Sequence, residues 1–219
     1  MSFLSHFRQF NWKQIQDDIA RKTPADVAAV LQKRTPRTLE DFKALVSPAA
    51  DCFLEDLAGC SQKLTRRRFG KVVQLYIPLY LSNECSNSCK YCGFRKNNAV
   101  TRITLSLDQL LSEAEEIKQM GFDHLLLVSG ESAAVTTPYL KKCIEVLKPM
   151  FANISLEVPP LEQAEYESLV AAGLHAVYIY QETYGPKYAF YHPRGKKNDI
   201  AYRLLTPDRL GTVGIYKIG

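Results

Sequence analysis

Three of the six cysteines stand together at Cys85, Cys89 and Cys92. That spacing lets a short loop turn all three sulfurs onto one small inorganic centre. A disulfide needs thiols in pairs and an oxidising compartment, whereas this loop holds an odd number and the chain opens without a charged-then-apolar leader. Structural zinc needs four ligands, and no His or Cys follows Cys92 within finger or ribbon distance. Ser86, Asn87, Ser88 and Lys90 make the loop too polar for an inert core cluster. A cubane 4Fe–4S cluster held by three thiolates, with one iron open to a small ligand, satisfies the spacing best. A non-catalytic iron–sulfur or zinc-binding protein is the alternative from another functional class.

A second stretch of interest is Val128-Ser129-Gly130-Glu131-Ser132. Gly130 permits close backbone approach, and Glu131 with its neighbouring carbonyls can accept hydrogen bonds from an ammonium group. The same residues also make an ordinary strand-to-helix turn. The other cysteines read as core: Cys52 and Cys60 on one face of a helix with Leu57 and Leu64, and Cys143 among Leu140, Ile144 and Leu147.

The elements that position these residues follow from caps and periodicity. Residues 1–70 read as a helical extension, with an apolar stripe of Phe3, Phe7, Phe10, Trp12, Ile15 and Ile19. Thr23-Pro24 and Ser47-Pro48 each supply an N-cap followed by Pro at the first helical position. Gly70 ends the extension, and Val72 to Leu81 has strand composition. The cysteine loop follows that strand. Ser106 with Gln109 forms a capping box for a helix burying Leu107, Leu110, Leu111, Ala114, Ile117 and Met120. Strand Leu125–Ser129, a helix opened by Thr137-Pro138, strand Ile154–Val158, a helix from Leu161 to Gly173 and strand Ala176–Gln181 continue the alternation. A helix over Ile200–Leu205 is interrupted by Thr206-Pro207, and Ile215 starts a fifth strand.

Strands alternating with helices predict an α/β fold, a (β/α) TIM-type barrel with chemistry at the carboxyl ends of its strands. Residues 71–219 hold about four βα units and a fifth strand, fewer than the eight of a closed barrel. An open parallel edge invites aggregation, so the expectation is a partial barrel cut from a longer protein. The net charge of +5 is spread along the chain apart from Arg66-Arg67-Arg68, which reads as a solvated helix end. Nucleic acid is therefore not an expected partner, nor, without a long apolar run, is a membrane. A cytoplasmic protein keeps such thiols reduced.

Cys85-x-x-x-Cys89-x-x-Cys92 with Tyr91 resembles the signature of radical S-adenosylmethionine enzymes, and Ser129-Gly130-Glu131 resembles their Gly-Gly-Glu stretch with Ser129 in place of the first Gly. The longer run from Leu81 to Phe94, the run Tyr178 to Tyr184, and His192-Pro193 are similar to the aromatic-amino-acid lyase branch. The resemblance implies a 4Fe–4S cluster on Cys85, Cys89 and Cys92, and S-adenosylmethionine cleaved there to a 5'-deoxyadenosyl radical. It places Tyr91 near adenine and Ser129, Gly130 and Glu131 at the methionine ammonium, with Glu157 and Arg203 as further polar contacts. It implies L-tyrosine as substrate, cut at Cα–Cβ to 2-iminoacetate and p-cresol for the thiazole of thiamine. A related tyrosine lyase of hydrogenase cofactor maturation is the alternative. Tyr76, Tyr80, Tyr180, Gln181, Glu182 and Tyr184 are the candidates for a pocket wall. A flavodoxin or ferredoxin-type electron donor and a thiazole synthase are the implied protein partners.

Overall fold

Local capping chemistry sets most helix starts in the N-terminal half of the computed structural model, which describes residues 2–219. The chain divides into two compact units, residues 8–74 and residues 75–219, with residues 2–7 belonging to the second. The expected N-terminal stripe is cut in two, into α1 (Phe3–Phe7) and α2 (Trp12–Ala20), because Asn11 restarts the helix by accepting from the Gln14 amide at 3.1 Å. Thr23 and Asp26 form a reciprocal capping box for α3 (Pro24–Gln32), and Thr38 and Asp41 do the same for α4 (Leu39–Leu45).

Ser47-Pro48 opens a 3₁₀ turn, Pro48–Phe53, not an α-helix, and the Ser47 hydroxyl donates back to the Ala44 carbonyl at 2.8 Å instead of capping. Within this unit Val27, Val30, Ala44 and Ala50 form a small buried core. The expectation that Cys52 and Cys60 are core is overturned: Cys52 is exposed and Cys60 half-buried. Cys52 lies on the 3₁₀ turn, whose threefold period turns Ala50 and Phe53 toward the core instead, and α5 (Leu54–Phe69), rich in charged residues, buries none of its side chains.

In the second unit the first strand starts later than its composition suggests. β1 spans Ile77–Ser82, while Val72, Val73 and Leu75 are exposed and outside any strand. The pairing register explains this: Ile77 faces Leu125 near the start of the neighbouring strand, so nothing remains for residues 72–75 to pair with. The alternation then runs α6 (Leu107–Gln119), β2 (His124–Ser129), α7 (Thr137–Leu147), β3 (Asn153–Glu157), α8 (Gln163–Ala172) and β4 (Ala176–Val177). All neighbouring strands are parallel and their order is β1-β2-β3-β4. Four parallel strands in sequential order with helical crossovers make a partial (β/α) barrel.

Alternate strand residues bury one face against the helices. Leu79, Leu81, Leu125, Leu127, Ile154 and Leu156 pack in one cluster with Leu110, Ala114 and Ile117 of α6, Leu140, Cys143, Ile144 and Leu147 of α7, and Tyr166 and Leu169 of α8. Ser106 and Gln109 close the expected box on α6, but Met120, at the helix end, is 66% exposed. Thr136, not Thr137, caps α7; the Thr137 hydroxyl donates to Glu165.

β4 is shorter than predicted because Arg203 takes the Tyr180 carbonyl and the Gln181 amide oxygen, at 2.6 and 3.0 Å, drawing the chain off the sheet. It continues through α9 (Tyr188–Tyr191), α10 (Ile200–Leu204) and α11 (Thr206–Thr212), so Thr206-Pro207 begins a helix rather than breaking one. The fifth strand is reduced to one parallel bridge, Ile218 against Val177, with the Ile179 amide donating to the Gly219 carbonyl at 2.7 Å. Among the described residues no helix is long and apolar enough to cross a membrane.

Burial separates the cysteines outside the loop chemically. Cys143 is fully buried and its thiol is pushed up to about 11 by desolvation. In folded, cluster-free protein, iodoacetamide followed by peptide mass analysis is expected to label Cys52 on the order of 100-fold faster than Cys143. Similar rates at the two thiols would contradict this packing.

Candidate active site

The cysteine loop leaves β1 at its carboxyl end and is closed at its base by one guanidinium. Arg102 donates to the carbonyls of Asn83 at 2.6 Å, Phe94 at 2.9 Å, Arg95 at 2.9 Å and Asn98 at 3.2 Å. Asn83 reinforces the closure, donating to the Thr101 carbonyl and accepting from the Ile103 amide, both at 2.7 Å. Inside the loop the buried Asn87 donates to Glu131 Oε2 at 2.9 Å and accepts from the Lys197 amide at 3.1 Å. Cys89 is buried, and desolvation pushes its thiol up against the opposing pull of the Lys197 ammonium.

A cavity of about 210 Å³ lies against the loop at the carboxyl ends of the strands. Cys85, Cys89, Cys92 and Tyr91 line it together with Tyr80, Ser129, Gly130, Glu131, Glu157, Tyr180, Glu182 and Arg203. Gly130 is required by space: a Cβ there would lie 2.4 Å from the Glu84 carbonyl oxygen and 2.9 Å from Cys85 Cβ. The Glu131 carbonyl accepts from the Ser86 amide at 2.7 Å, so the β2 turn holds the cysteine loop by backbone and side chain at once. Burial pushes the Glu157 carboxyl up, with Lys197 opposing and Glu182 adding to the rise.

The tautomer of His192 follows from its bonds. Its Nδ1 faces the Tyr188 carbonyl at 2.9 Å and must carry the proton, so Nε2 accepts from the Tyr91 hydroxyl at 2.6 Å. Desolvation lowers the pKa of this fully buried imidazole and keeps it neutral. Burial also raises Glu182, but the hydrogen bond and charge of Lys197, whose Nζ is 2.8 Å away, outweigh it and hold the carboxyl below its ordinary value.

Three expected wall residues do not line the cavity. Tyr76 stacks on Tyr178 with ring centroids 6.2 Å apart, Tyr184 meets Phe7 at 6.4 Å, and Gln181 serves as the acceptor that orients Arg203. Sequence reasoning overlooked Asn87, Phe94, Arg102, Tyr178 and Lys197. Asn87 and Arg102 sat in plain view as polar residues within or just after the cysteine loop, but Lys197 reaches Asn87 across 110 residues, which no local pattern reveals.

The residues fit a cluster with a bound small molecule. Three thiols, the donor set of an iron–sulfur site, line one cavity, and Ser129 Oγ is buried there without a hydrogen-bond partner among the described residues. Among the described residues no three His, Cys, Asp or Glu side chains converge on a single metal ion. Thiolates that each take a different iron of a cubane need not converge so closely.

Residues 79–218 match the Radical SAM superfamily. The chain is 46% identical over 220 aligned positions to the 2-iminoacetate synthase of Escherichia coli K12, a match covering 100% of this chain and 58% of that protein. It superposes on a crystal structure of HydG, a maturase of the [FeFe]-hydrogenase, with TM-score 0.86 at 25% identity over 95% of this chain and 49% of that one. On HydG from Carboxydothermus hydrogenoformans the TM-score is 0.81 at 29% identity, over 99% of this chain and 50% of that one.

The tight seat of Gly130 gives a prediction with an internal control. Gly130→Ala is expected to cost about 1–3 kcal/mol of local overpacking and to displace Cys85, lowering iron and sulfide bound after anaerobic reconstitution. Gly93→Ala, where an added Cβ meets nothing within 4 Å, is expected to load normally. Equal metal contents in the two variants would show that the contact does not govern the loop.

Proposed function

Because the chain belongs to the Radical SAM superfamily, whose members use a 4Fe–4S cluster and S-adenosylmethionine, we propose that it serves a lyase cleaving L-tyrosine at Cα–Cβ. The products are 2-iminoacetate and p-cresol, the former for thiamine thiazole synthesis. The observation that carries this reading is the convergence of Cys85, Cys89, Cys92, Ser129, Gly130 and Glu131 on one strand-end cavity, within a chain 46% identical along its length to a 2-iminoacetate synthase. The chain spans 58% of that relative's length, so the activity is proposed for the whole protein. The HydG superpositions fit a hydrogenase-maturation lyase, but their 25% and 29% identities favour the thiamine reading.

Cys85, Cys89 and Cys92 hold the cluster, which when bound supplies the electron that splits S-adenosylmethionine into methionine and the 5'-deoxyadenosyl radical. Glu131, already fixed by Asn87, accepts from the methionine ammonium, with Ser129 Oγ as a further polar contact. Tyr91 presents its ring to the adenine, its hydroxyl tethered to His192. Arg203 keeps Nη1 for a carboxylate while its other nitrogens hold Tyr180 and Gln181. Tyr80, Tyr178, Tyr180 and Phe94 wall the cavity and limit water, which matters for a radical and for a hydrolysable imine. A flavodoxin or ferredoxin-type donor supplies the electron, and a thiazole synthase receives the imine.

Reconstituted protein, reduced and given S-adenosylmethionine and tyrosine, is expected to release 5'-deoxyadenosine and p-cresol. Zinc in a colourless sample would defeat the cluster reading. 5'-Deoxyadenosine without p-cresol would defeat the tyrosine reading. Glu131→Gln is expected to weaken S-adenosylmethionine binding by about 10- to 100-fold through loss of a charged hydrogen bond.

A further inference from the structure

Charge is segregated around the cysteine loop. Residues 85–98 contain Lys90, Arg95 and Lys96, residues 183–198 contain Lys187, Arg194, Lys196 and Lys197, and neither segment has an Asp or Glu. Since the whole chain is +5, everything outside these two segments is net −2. The fold lays the two segments side by side: the Ser88 amide donates to the Arg194 carbonyl at 3.3 Å and the Lys90 amide to the Tyr191 carbonyl at 3.0 Å. Gly195, at φ +93°, permits this approach, because a Cβ there would lie 1.9 Å from Asn87 Oδ1. Arg95 is occupied by Asn98, Lys197 by Glu182 and the exposed Lys196 lies 3.8 Å from Glu131, but Lys90, Lys96, Lys187 and Arg194 are exposed. An exposed aromatic ring, Phe190 at 58%, sits among them, with the Lys90 ammonium 3.2 Å from its ring centroid.

We propose that this basic collar is the docking surface for an acidic one-electron donor protein. An exposed aromatic ring and an arginine are residue types enriched at protein interfaces, and a one-sided field of cations steers an oppositely charged partner to them. The collar joins the loop that carries the three thiols to the segment hydrogen-bonded to it, so a partner seated there would lie beside the thiols that hold the centre it reduces. The proposal rests on the cluster reading above. The donor loses one electron and S-adenosylmethionine gains it, its C5'–S bond breaking to methionine and the 5'-deoxyadenosyl radical.

The test uses an acidic [2Fe–2S] ferredoxin as probe and measures binding by calorimetry, on cluster-free and reconstituted protein alike. Wild-type protein is expected to bind more weakly as salt rises. Combined Lys96→Gln, Lys187→Gln and Arg194→Gln are expected to weaken binding about tenfold or more at low salt. Arg66→Gln, Arg67→Gln and Arg68→Gln together, an equal loss of charge elsewhere, should leave it unchanged. Dithionite-driven release of 5'-deoxyadenosine should be the same in the collar variant and wild type, while ferredoxin-driven release falls. Undiminished ferredoxin binding by the collar variant, or an equal loss in the control, overturns the proposal, as does a collar that binds duplex oligonucleotide but not ferredoxin. Failure of the cluster reading has a separate signature: no iron after reconstitution and no release with dithionite.

Discussion

Beyond one antiparallel bridge that joins its ends, Ser82 to Thr104, the segment between β1 and α6 has no ladder to satisfy its backbone, and the arrangement of the site depends on how Arg102 answers that constraint. Unpaired carbonyls away from water are costly, and a guanidinium with five fixed donors is the side chain able to serve several at once. Arg102 gathers carbonyls from both sides of the three cysteines, Asn83 before them and Phe94, Arg95 and Asn98 after. The loop is thereby a closed ring of chain rather than an open excursion. Its thiols can be held near one another without regular structure between them.

Closure alone would leave the ring free to swing, and Asn87 removes that freedom. Its amide ties the loop to Glu131 beyond β2 and to Lys197 far along the chain, while Gly130 and Gly195 supply the two places where backbone must come close. Parallel pairing does the rest. With β1, β2 and β3 paired in parallel, their register shifting once between Tyr80 and Ser82 of β1, the ends of neighbouring strands project Glu131 and Glu157 toward the same opening as the loop. The site's geometry is thus a consequence of strand order, and its precision a consequence of a few buried polar contacts.

This division of labour explains what could be read from the amino-acid sequence. The N-cap at Thr23, the capping box at Ser106 and the buried face of α7 were legible because each is decided within a few helical turns. The alternation of strands and helices, and the cysteine spacing, were legible for the same reason. Cys52 and Val72 misled because apolar character records only a readiness to be buried; neither has a neighbouring surface to cover it. The short β4 and the inward turn of Arg203 depend on contacts between distant residues, as does the pinning of Asn87 by Lys197. Tyr76 and Tyr184 had the right residue type and the wrong direction, a distinction that strand composition does not encode.

The electrostatics of the two sides of the loop then make one scheme. Facing the cavity are Glu131, Glu157 and Glu182 against Lys197 and Arg203, an acidic balance before any thiolate charge is added. Burial drives Glu157 up in that setting, and a cationic ligand beside it would draw it back toward its ordinary range. The proposed ligand carries a sulfonium and an ammonium, which is the charge such a cavity accommodates. The exposed charged residues of the same loop, Lys90 and Lys96, are both cations. A thin ring of chain therefore separates a surface suited to an acidic protein from an interior suited to a cationic small molecule, and the three cysteines lie in the ring itself.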